Sequence, residues 1–331
     1  MQKAAIYLMV LCMLFAISGC SQPEESANTL QAGGSSMTTT EQNPYTQNTP
    51  IDTVANDPVF DGYGRLIFPT NQSYYSGNTL GELQLIWYSN IDSDKTVEIA
   101  NNLYKRAAAG ETVFYDIYTD AEKAADPAKE NTGLFFFKGS PGARFAICNA
   151  GGGFAYVGAM QDSFPHALEL SKRGYNAFAL IYRPGAQTAC EDLARAIRFI
   201  FENADTLEVN TEGYSLWGGS AGGRMAAWLG SYGPAAFGGD NLPRPGTVVM
   251  QYTGHSDYTV NDPPTYTCVG ENDSIANWRT MERRLNHMSA LGIPTEFHHY
   301  PELRHGFGLG TGTVAERWLD EAVAFWEKQV A

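Results

Sequence analysis

The chain has 331 residues, 44% hydrophobic and 12% aromatic, enough for one large domain or two of ordinary size. With 22 Lys and Arg against 36 Asp and Glu it carries a formal charge of −14, which argues against nucleic acid as a partner and against charge-driven docking on anionic lipid. Gly and Pro stand at ordinary globular levels and no fixed-period repeat is visible, which excludes collagen-like, low-complexity and solenoid architectures.

In chain order, Lys3 precedes an uncharged apolar run over residues 4–17, right for a signal segment and short for a membrane span. The run ends in Ile17-Ser18-Gly19-Cys20, which resembles the lipobox of bacterial lipoproteins. The resemblance implies that residues 1–19 are a signal peptide, that Cys20 is lipidated, and that the mature chain hangs from a membrane on its extracytoplasmic side. Residues 20–54, rich in Ser, Thr, Gln, Asn, Gly and Pro, are expected to be a disordered tether, because they offer too little apolar surface to offset the entropy of ordering. Cys148, Cys190 and Cys268 show no C-x-x-C or metal spacing and read as small buried apolar residues.

Residues 55–331 read as one folded domain, with 55–130 an extension ahead of its main α/β pattern. Strands are predicted at 112–118 and 134–138, then a Gly-Ser-Pro-Gly turn at 139–142 and a returning strand at 145–148. Further strands are predicted at 177–182, 214–218, 247–252, 265–269 and 295–300. Helices are predicted at 96–109, near 165–173, and at 188–203, 221–230, 275–291 and 314–328; Leu193, Ile197, Ile200 and Phe201 share one stripe of the third of these. The nearly all-apolar strand at 177–182 suits burial on both faces. The alternation calls for an α/β fold, a mainly parallel central sheet with helices on both faces.

Gly218-Gly219-Ser220-Ala221-Gly222 matches G-x-S-x-G in the strand–turn–helix setting that exposes a nucleophilic Ser above a sheet. The helix N-terminus behind it adds a positive dipole where an oxyanion would form. Residues 216–225, Leu-Trp-Gly-Gly-Ser-Ala-Gly-Gly-Arg-Met, resemble the esterase and lipase branch of the α/β-hydrolase superfamily, especially hormone-sensitive-lipase-like and acetyl-esterase-like enzymes. The likeness runs from about residue 134 to the C-terminus. Upstream, Asn149-Ala150-Gly151-Gly152-Gly153-Phe154 is similar to the family's His-Gly-Gly-Gly-Phe loop, which implies that the amides of Gly152, Gly153 and Ala221 form the oxyanion hole. The family's His or Pro is replaced by Ala150, which should alter the support of the loop and not its chemistry.

Of six histidines, His305 lies in a His-Gly-Phe after the last strand and resembles the family's general base. His298 and His299 sit on opposite faces of a strand, His287 falls on a helix surface, and His255 lies in a loop that could line the cleft. The acid candidates are Asp257, Asp262, Glu271 and Asp273; the Gly-x-Asn-Asp turn favours Asp273 by resemblance, with Glu271 its solvent-facing arm. Arg183 is similar to a family Arg that ties the core to an Asp, here Asp192.

The resemblance implies a serine carboxylesterase that needs no cofactor or metal and acts on small esters or acylated carbohydrates of short acyl length. Two alternatives remain open at this stage: a serine peptidase of prolyl-oligopeptidase type, and a catalytically silent surface binding module. Sequence leaves the oligomeric state unknown.

Overall fold

The computed structural model describes residues 43–68, 74–86 and 89–331. The expected signal segment, Cys20 and most of the expected tether lie outside them. The last part of that tether, residues 43–54, is corrected: the compact unit begins at Asn43. Tyr45, Ile51 and Val54 are buried in the main apolar cluster. The Tyr45 N–H donates to Asn101 Oδ1 at 3.1 Å, Asn101 Nδ2 donates back to the Tyr45 carbonyl at 2.9 Å, and the Tyr45 hydroxyl donates to Asp57 at 2.8 Å. A handful of apolar side chains with paired polar anchors orders a stretch whose average composition is that of a linker.

The N-terminal segment continues through α1 (Ile51–Ala55), α2 (Gly64–Ile67) and α3 (Ser93–Ala108). The strand β1 (Phe114–Asp116) and the short helix α4 (Asp120–Ala125) complete it. The start of α3 is set by Asp92, whose side chain accepts from the Lys95 N–H at 3.0 Å, and its buried face carries Ile99, Ala100 and Leu103. At α4 a Thr119/Glu122 capping box does the same work; its T-x-x-E signature is present in the sequence, yet no helix is predicted there.

From here strands and helices alternate. They are β2 (Gly133–Phe137), β3 (Arg144–Asn149), α5 (Ala159–Asp162), α6 (Phe164–Lys172), β4 (Asn176–Ile181) and α7 (Ala186–Glu202). Next come α8 (Ala204–Leu207), β5 (Asn210–Gly219), α9 (Ala221–Tyr232) and β6 (Thr247–Gln251). The chain closes with β7 (Thr265–Gly270), α10 (Trp278–Ala290), β8 (Thr295–Tyr300) and α11 (Trp318–Gln329). The eight strands form one sheet in the order β1-β2-β4-β3-β5-β6-β7-β8. β2 pairs antiparallel with both β1 and β4, and every pair from β4 across to β8 is parallel.

The expected hairpin between the strands now labelled β2 and β3 is a second correction, because β4 lies between them. The turn at 139–142 wraps around the first residue of β4: the Gly139 N–H donates to Asn176 Oδ1 at 3.0 Å, and Asn176 Nδ2 donates to the carbonyls of Ser140 and Ala143 at 3.2 and 3.1 Å. One buried amide thus ties the turn to β4, while the turn keeps its own bond from the Ala143 N–H to the Ser140 carbonyl at 3.1 Å. The strands β2, β3, β4, β6 and β7 are buried almost throughout, with one apolar cluster on each face of the sheet. Cys148, Cys190 and Cys268 are buried thiols within them.

Candidate active site

The nucleophile candidate sits where β5 turns into α9. Ser220 is forced to φ 51°, ψ −117°, a region that L residues avoid. Its N–H donates to the Gln251 carbonyl at the end of β6, 2.9 Å away, which pins the turn to the neighbouring strand. The flanking glycines are steric requirements. A Cβ on Gly218 would lie 2.2 Å from the Gly222 backbone, and one on Gly222 would lie 2.0 Å from the Asn149 carbonyl oxygen. Even the middle position, which the motif leaves free, is constrained here: a Cβ on Gly219 would lie 2.1 Å from a carboxylate oxygen of Asp162.

The structure brings Ser220, His305 and Asp273 together. His305 Nε2 lies 3.0 Å from Ser220 Oγ, and His305 Nδ1 lies 2.7 Å from Asp273 Oδ2. The Asp273 side chain is fully shielded from solvent, and its other oxygen accepts from the N–H groups of Ile275 and Ala276, both at 2.7 Å. The helix α10 starts at Trp278, capped by Asn277, which accepts from the Arg279 N–H at 3.0 Å, and not at 275 as predicted. Tyr252 packs edge-on against the imidazole, with ring centroids 4.9 Å apart.

The other acid candidates are engaged elsewhere. Asp257 accepts from the Tyr232 hydroxyl at 2.6 Å on the surface, Asp262 forms a buried pair with Arg284 at 2.5 Å, and Glu271 meets His299 at 2.6 Å. Of the remaining histidines, His298 lies beside Glu296, and His287 is exposed beside Tyr258. His255 is buried edge-on against Trp228, and burial, aided by nearby Arg284 and Arg224, pushes its pKa down to about 3. His166 is buried against Trp318, and burial again brings its pKa down to about 3. Arg183 meets Asp192 through its N–H, Nε and Nη2 at 2.7, 3.0 and 2.7 Å; Asp192 also accepts from the Tyr118 hydroxyl at 2.6 Å.

The glycine loop follows β3 and runs past the elbow. Gly152 has φ 131° and a Cβ there would lie 2.1 Å from the Tyr156 carbonyl, so only glycine fits; Gly153 has φ 61° and faces open space. The loop folds on itself: the Ala155 N–H donates to the Gly152 carbonyl at 2.9 Å, and the Gly158 N–H to the Gly151 carbonyl at 2.9 Å. Among the described residues no acceptor engages the N–H of Gly152 or Gly153. Ala221, the third expected donor, opens α9 directly after Ser220. At Ala150 the Tyr182 hydroxyl donates to the backbone carbonyl at 2.7 Å.

Sequence reading missed Asp162. This carboxyl is fully buried, accepts from the Gly151 N–H at 2.9 Å and from the Tyr252 hydroxyl at 3.1 Å, and is pushed up to about 7 chiefly by burial, against the opposing pull of those hydrogen bonds and of His305. In sequence it looks like a cap in front of the proline-containing helix at 165–173; the available signal was the extra glycine at position 219.

The BD-FAE family model, which describes esterases of the α/β-hydrolase type, matches residues 139–242, a span that holds the glycine loop and the elbow. No curated protein matches the sequence. Among solved structures, an acetyl ester-xyloside bifunctional hydrolase from Caldicellulosiruptor lactoaceticus is 22% identical, with 65% of this chain and 95% of that one covered and a TM-score of 0.57. A propionate-bound thermophilic esterase from Thermogutta terrifontis is 21% identical, covering 60% and 89%, with a TM-score of 0.53. An alpha/beta hydrolase enzyme from a Medee basin deep-sea metagenome library is 22% identical, covering 60% and 93%, with a TM-score of 0.51. The chain has the α/β-hydrolase fold.

Proposed function

We propose that this protein is a serine carboxylesterase that cleaves short acyl groups, including those carried on carbohydrates, and that it works outside the cytoplasm on a lipid anchor at Cys20. The observation that carries the chemistry is the unbroken chain from Ser220 Oγ through His305 to Asp273, at 3.0 and 2.7 Å, on a strained elbow beside a loop with two unclaimed amides. His305 takes the Ser220 proton as Oγ attacks the ester carbonyl, and Asp273 holds the imidazole by Nδ1 and stabilises the imidazolium. The amides of Gly152, Gly153 and Ala221 receive the oxyanion. The tetrahedral intermediate collapses as His305 returns the proton to the leaving alkoxide. Water activated by the same imidazole then releases the acid and regenerates Ser220.

The preference for short acyl groups rests on what surrounds this centre. The β6–β7 connection, residues 252–264, contains no helix or strand that could serve as a lid. The N-terminal segment supplies a wall instead: Tyr74 stacks on Tyr156 of the glycine loop at 3.9 Å, and the Asn90 N–H donates to the Gly306 carbonyl beside His305 at 3.2 Å. Aromatic faces with nearby polar groups suit hydroxylated ligands. The described residues of 43–131 build helices and one strand and no propeller, which favours an esterase over a peptidase of prolyl-oligopeptidase type.

The test is covalent and kinetic. Paraoxon should phosphorylate wild-type protein on the Ser220 peptide, and Ser220→Ala should lose both the adduct and at least about 10³-fold of the hydrolysis of p-nitrophenyl acetate. An adduct that persists in Ser220→Ala overturns the reading. Across p-nitrophenyl esters, kcat/KM should peak between acetate and butyrate; a steady rise to twelve carbons would show a lipase. Cys20→Ser should leave the membrane fraction or retain its signal segment, and a correctly cleaved, membrane-bound variant would remove the anchor.

A further inference from the structure

A carboxyl group with no solvent exposure and no Lys or Arg paired to it among the described residues calls for a physical reason, since burying it costs several kcal/mol unless its lone pairs are well used. Asp162 ends the one-turn helix α5, all of whose residues are buried, and its two oxygens serve different parts of the site. Oδ1 accepts from the Gly151 N–H at 2.9 Å, at the start of the glycine loop. Oδ2 accepts from the Tyr252 hydroxyl at 3.1 Å and rests on the backbone of Gly219, next to the nucleophile.

Each contact reaches a catalytic part. With the Gly151 N–H turned inward to Asp162, and the Gly151 and Gly152 carbonyls taken by Gly158 and Ala155, the amides of Gly152 and Gly153 are the ones left to face an ester oxygen. Tyr252 leads from β6, whose Gln251 carbonyl holds the Ser220 N–H, to the imidazole on which its ring packs. The Gly308 carbonyl, three residues beyond His305, accepts from Gln251 Nε2 at 2.9 Å, so the histidine loop is also tied to the end of β6. The contacts at Gly219 and Gly151 leave no slack: a Cβ on Gly151 would already lie 3.0 Å from the Ser220 Cβ.

We propose that Asp162 is a positioning residue that locks the oxyanion loop, the nucleophile elbow and, through Tyr252, the histidine loop into one register. This rests on the reading of Ser220 as nucleophile. The group acts through others and does not touch substrate. Its removal should therefore loosen the site for the tetrahedral intermediate, which needs amides at fixed positions, and spare ground-state binding.

The experiment uses Asp162→Asn and Tyr252→Phe in the full chain, with active sites titrated by paraoxon so that rates refer to competent Ser220. In Asp162→Asn the amide can accept from Gly151 only by turning its NH₂ toward Tyr252, whose hydroxyl must then accept instead of donate, so that link is reversed and the Tyr252 O–H loses its acceptor. For that variant kcat per titrated site should fall about 10- to 100-fold while KM stays within about threefold. Tyr252→Phe keeps the ring against His305 and should fall about three- to tenfold. The double variant should be no slower than Asp162→Asn within twofold, because both belong to one chain of contacts. A trifluoromethyl ketone, which mimics the tetrahedral adduct, should lose affinity in step with kcat/KM, while an unreactive amide analogue of the substrate should not. If Asp162→Asn does not fold, the Tyr252→Phe rate and the ketone affinity decide alone. Titrated rates within twofold of wild type in the folded variants, with only the melting temperature lowered, would make Asp162 a merely structural group. Wild-type protein that paraoxon does not label at Ser220 would instead overturn the esterase reading beneath it.

Discussion

The parallel half of the sheet, β3 to β8, and the N-terminal segment, residues 43–131, are built by different means. The first is held by apolar strands, of which β3, β4, β6 and β7 are buried almost throughout, and the C-terminal ends of its strands deliver Ser220, Asp273 and His305 to one point. The second is held by single anchors, such as Tyr45 on Asn101 and Asp57, and by scattered apolar contacts from Ile51, Val54, Phe60 and Phe68. On the proposed reading one region places the chemistry and the other walls it, so damage to each should be read out differently.

The largest expected effect lies in the first region. Asp273→Asn leaves the shape of the triad intact but lets the imidazole adopt the wrong tautomer, so kcat should fall by about 10⁴, as for the equivalent change in a known Ser-His-Asp enzyme. Asp257→Asn, on the surface beside Tyr232, should cost less than about tenfold. Steady-state kinetics at matched melting temperature checks both, and the reverse ranking would move the acid to Asp257. In the second region the loss should be of stability. A chain starting at residue 55 forfeits the burial of Tyr45, Ile51 and Val54, about 5 kcal/mol at 1.5–3 kcal/mol per side chain. Urea unfolding of chains starting at 43 and at 55 measures it. A difference below about 1 kcal/mol would restore the tether to residue 54.

How much of this was legible in the sequence follows the same division. The strand at 177–182 and the elbow at Ser220 were visible because two-sided burial demands continuous apolar runs and the turn demands glycine at both ends. The 43–54 stretch was misread because three well-placed residues, Tyr45, Ile51 and Val54, do not alter an average dominated by Thr, Gln and Asn. The place of β4 was hidden because it depends on one Asn176 amide filling a turn that local pattern assigns to a hairpin. Asp162 was invisible for a related reason: burial of a charge is decided by its tertiary surroundings, and its trace in the sequence was only a missing side chain at Gly219.

A pH series sharpens the division. His166 and His255, held near 3 by burial, bind fewer protons folded than unfolded between about 3 and 6.5, so their stabilisation is full above the unfolded value and is lost as pH falls through that window. Asp162, raised to about 7, has the opposite sign: folded protein keeps a proton that the unfolded chain releases above about 4, and stability falls as pH rises from there to 7. With two histidines against one carboxyl, the melting temperature should climb from pH 4.5 to 6.5. The slope should flatten in His255→Gln and steepen in Asp162→Asn. All three groups belong to the region after β3, so trimming residues 43–54 should lower the curve and keep its shape. A slope unchanged in His255→Gln would show that other groups set it.

The backbone of Ser220 has one more consequence. At φ 51°, ψ −117° a side chain of any size is strained, by about 1–3 kcal/mol, and glycine is not. Replacing alanine by glycine ordinarily loosens a protein by about 0.5–1 kcal/mol. At this position the ranking should invert, with Ser220→Gly melting higher than Ser220→Ala, a comparison that leaves catalysis out because neither variant has a nucleophile. If Ser220 is the nucleophile, as proposed, sequence drift at residue 220 that makes the molecule hardier also makes it inert, and a screen for heat resistance alone would select against activity.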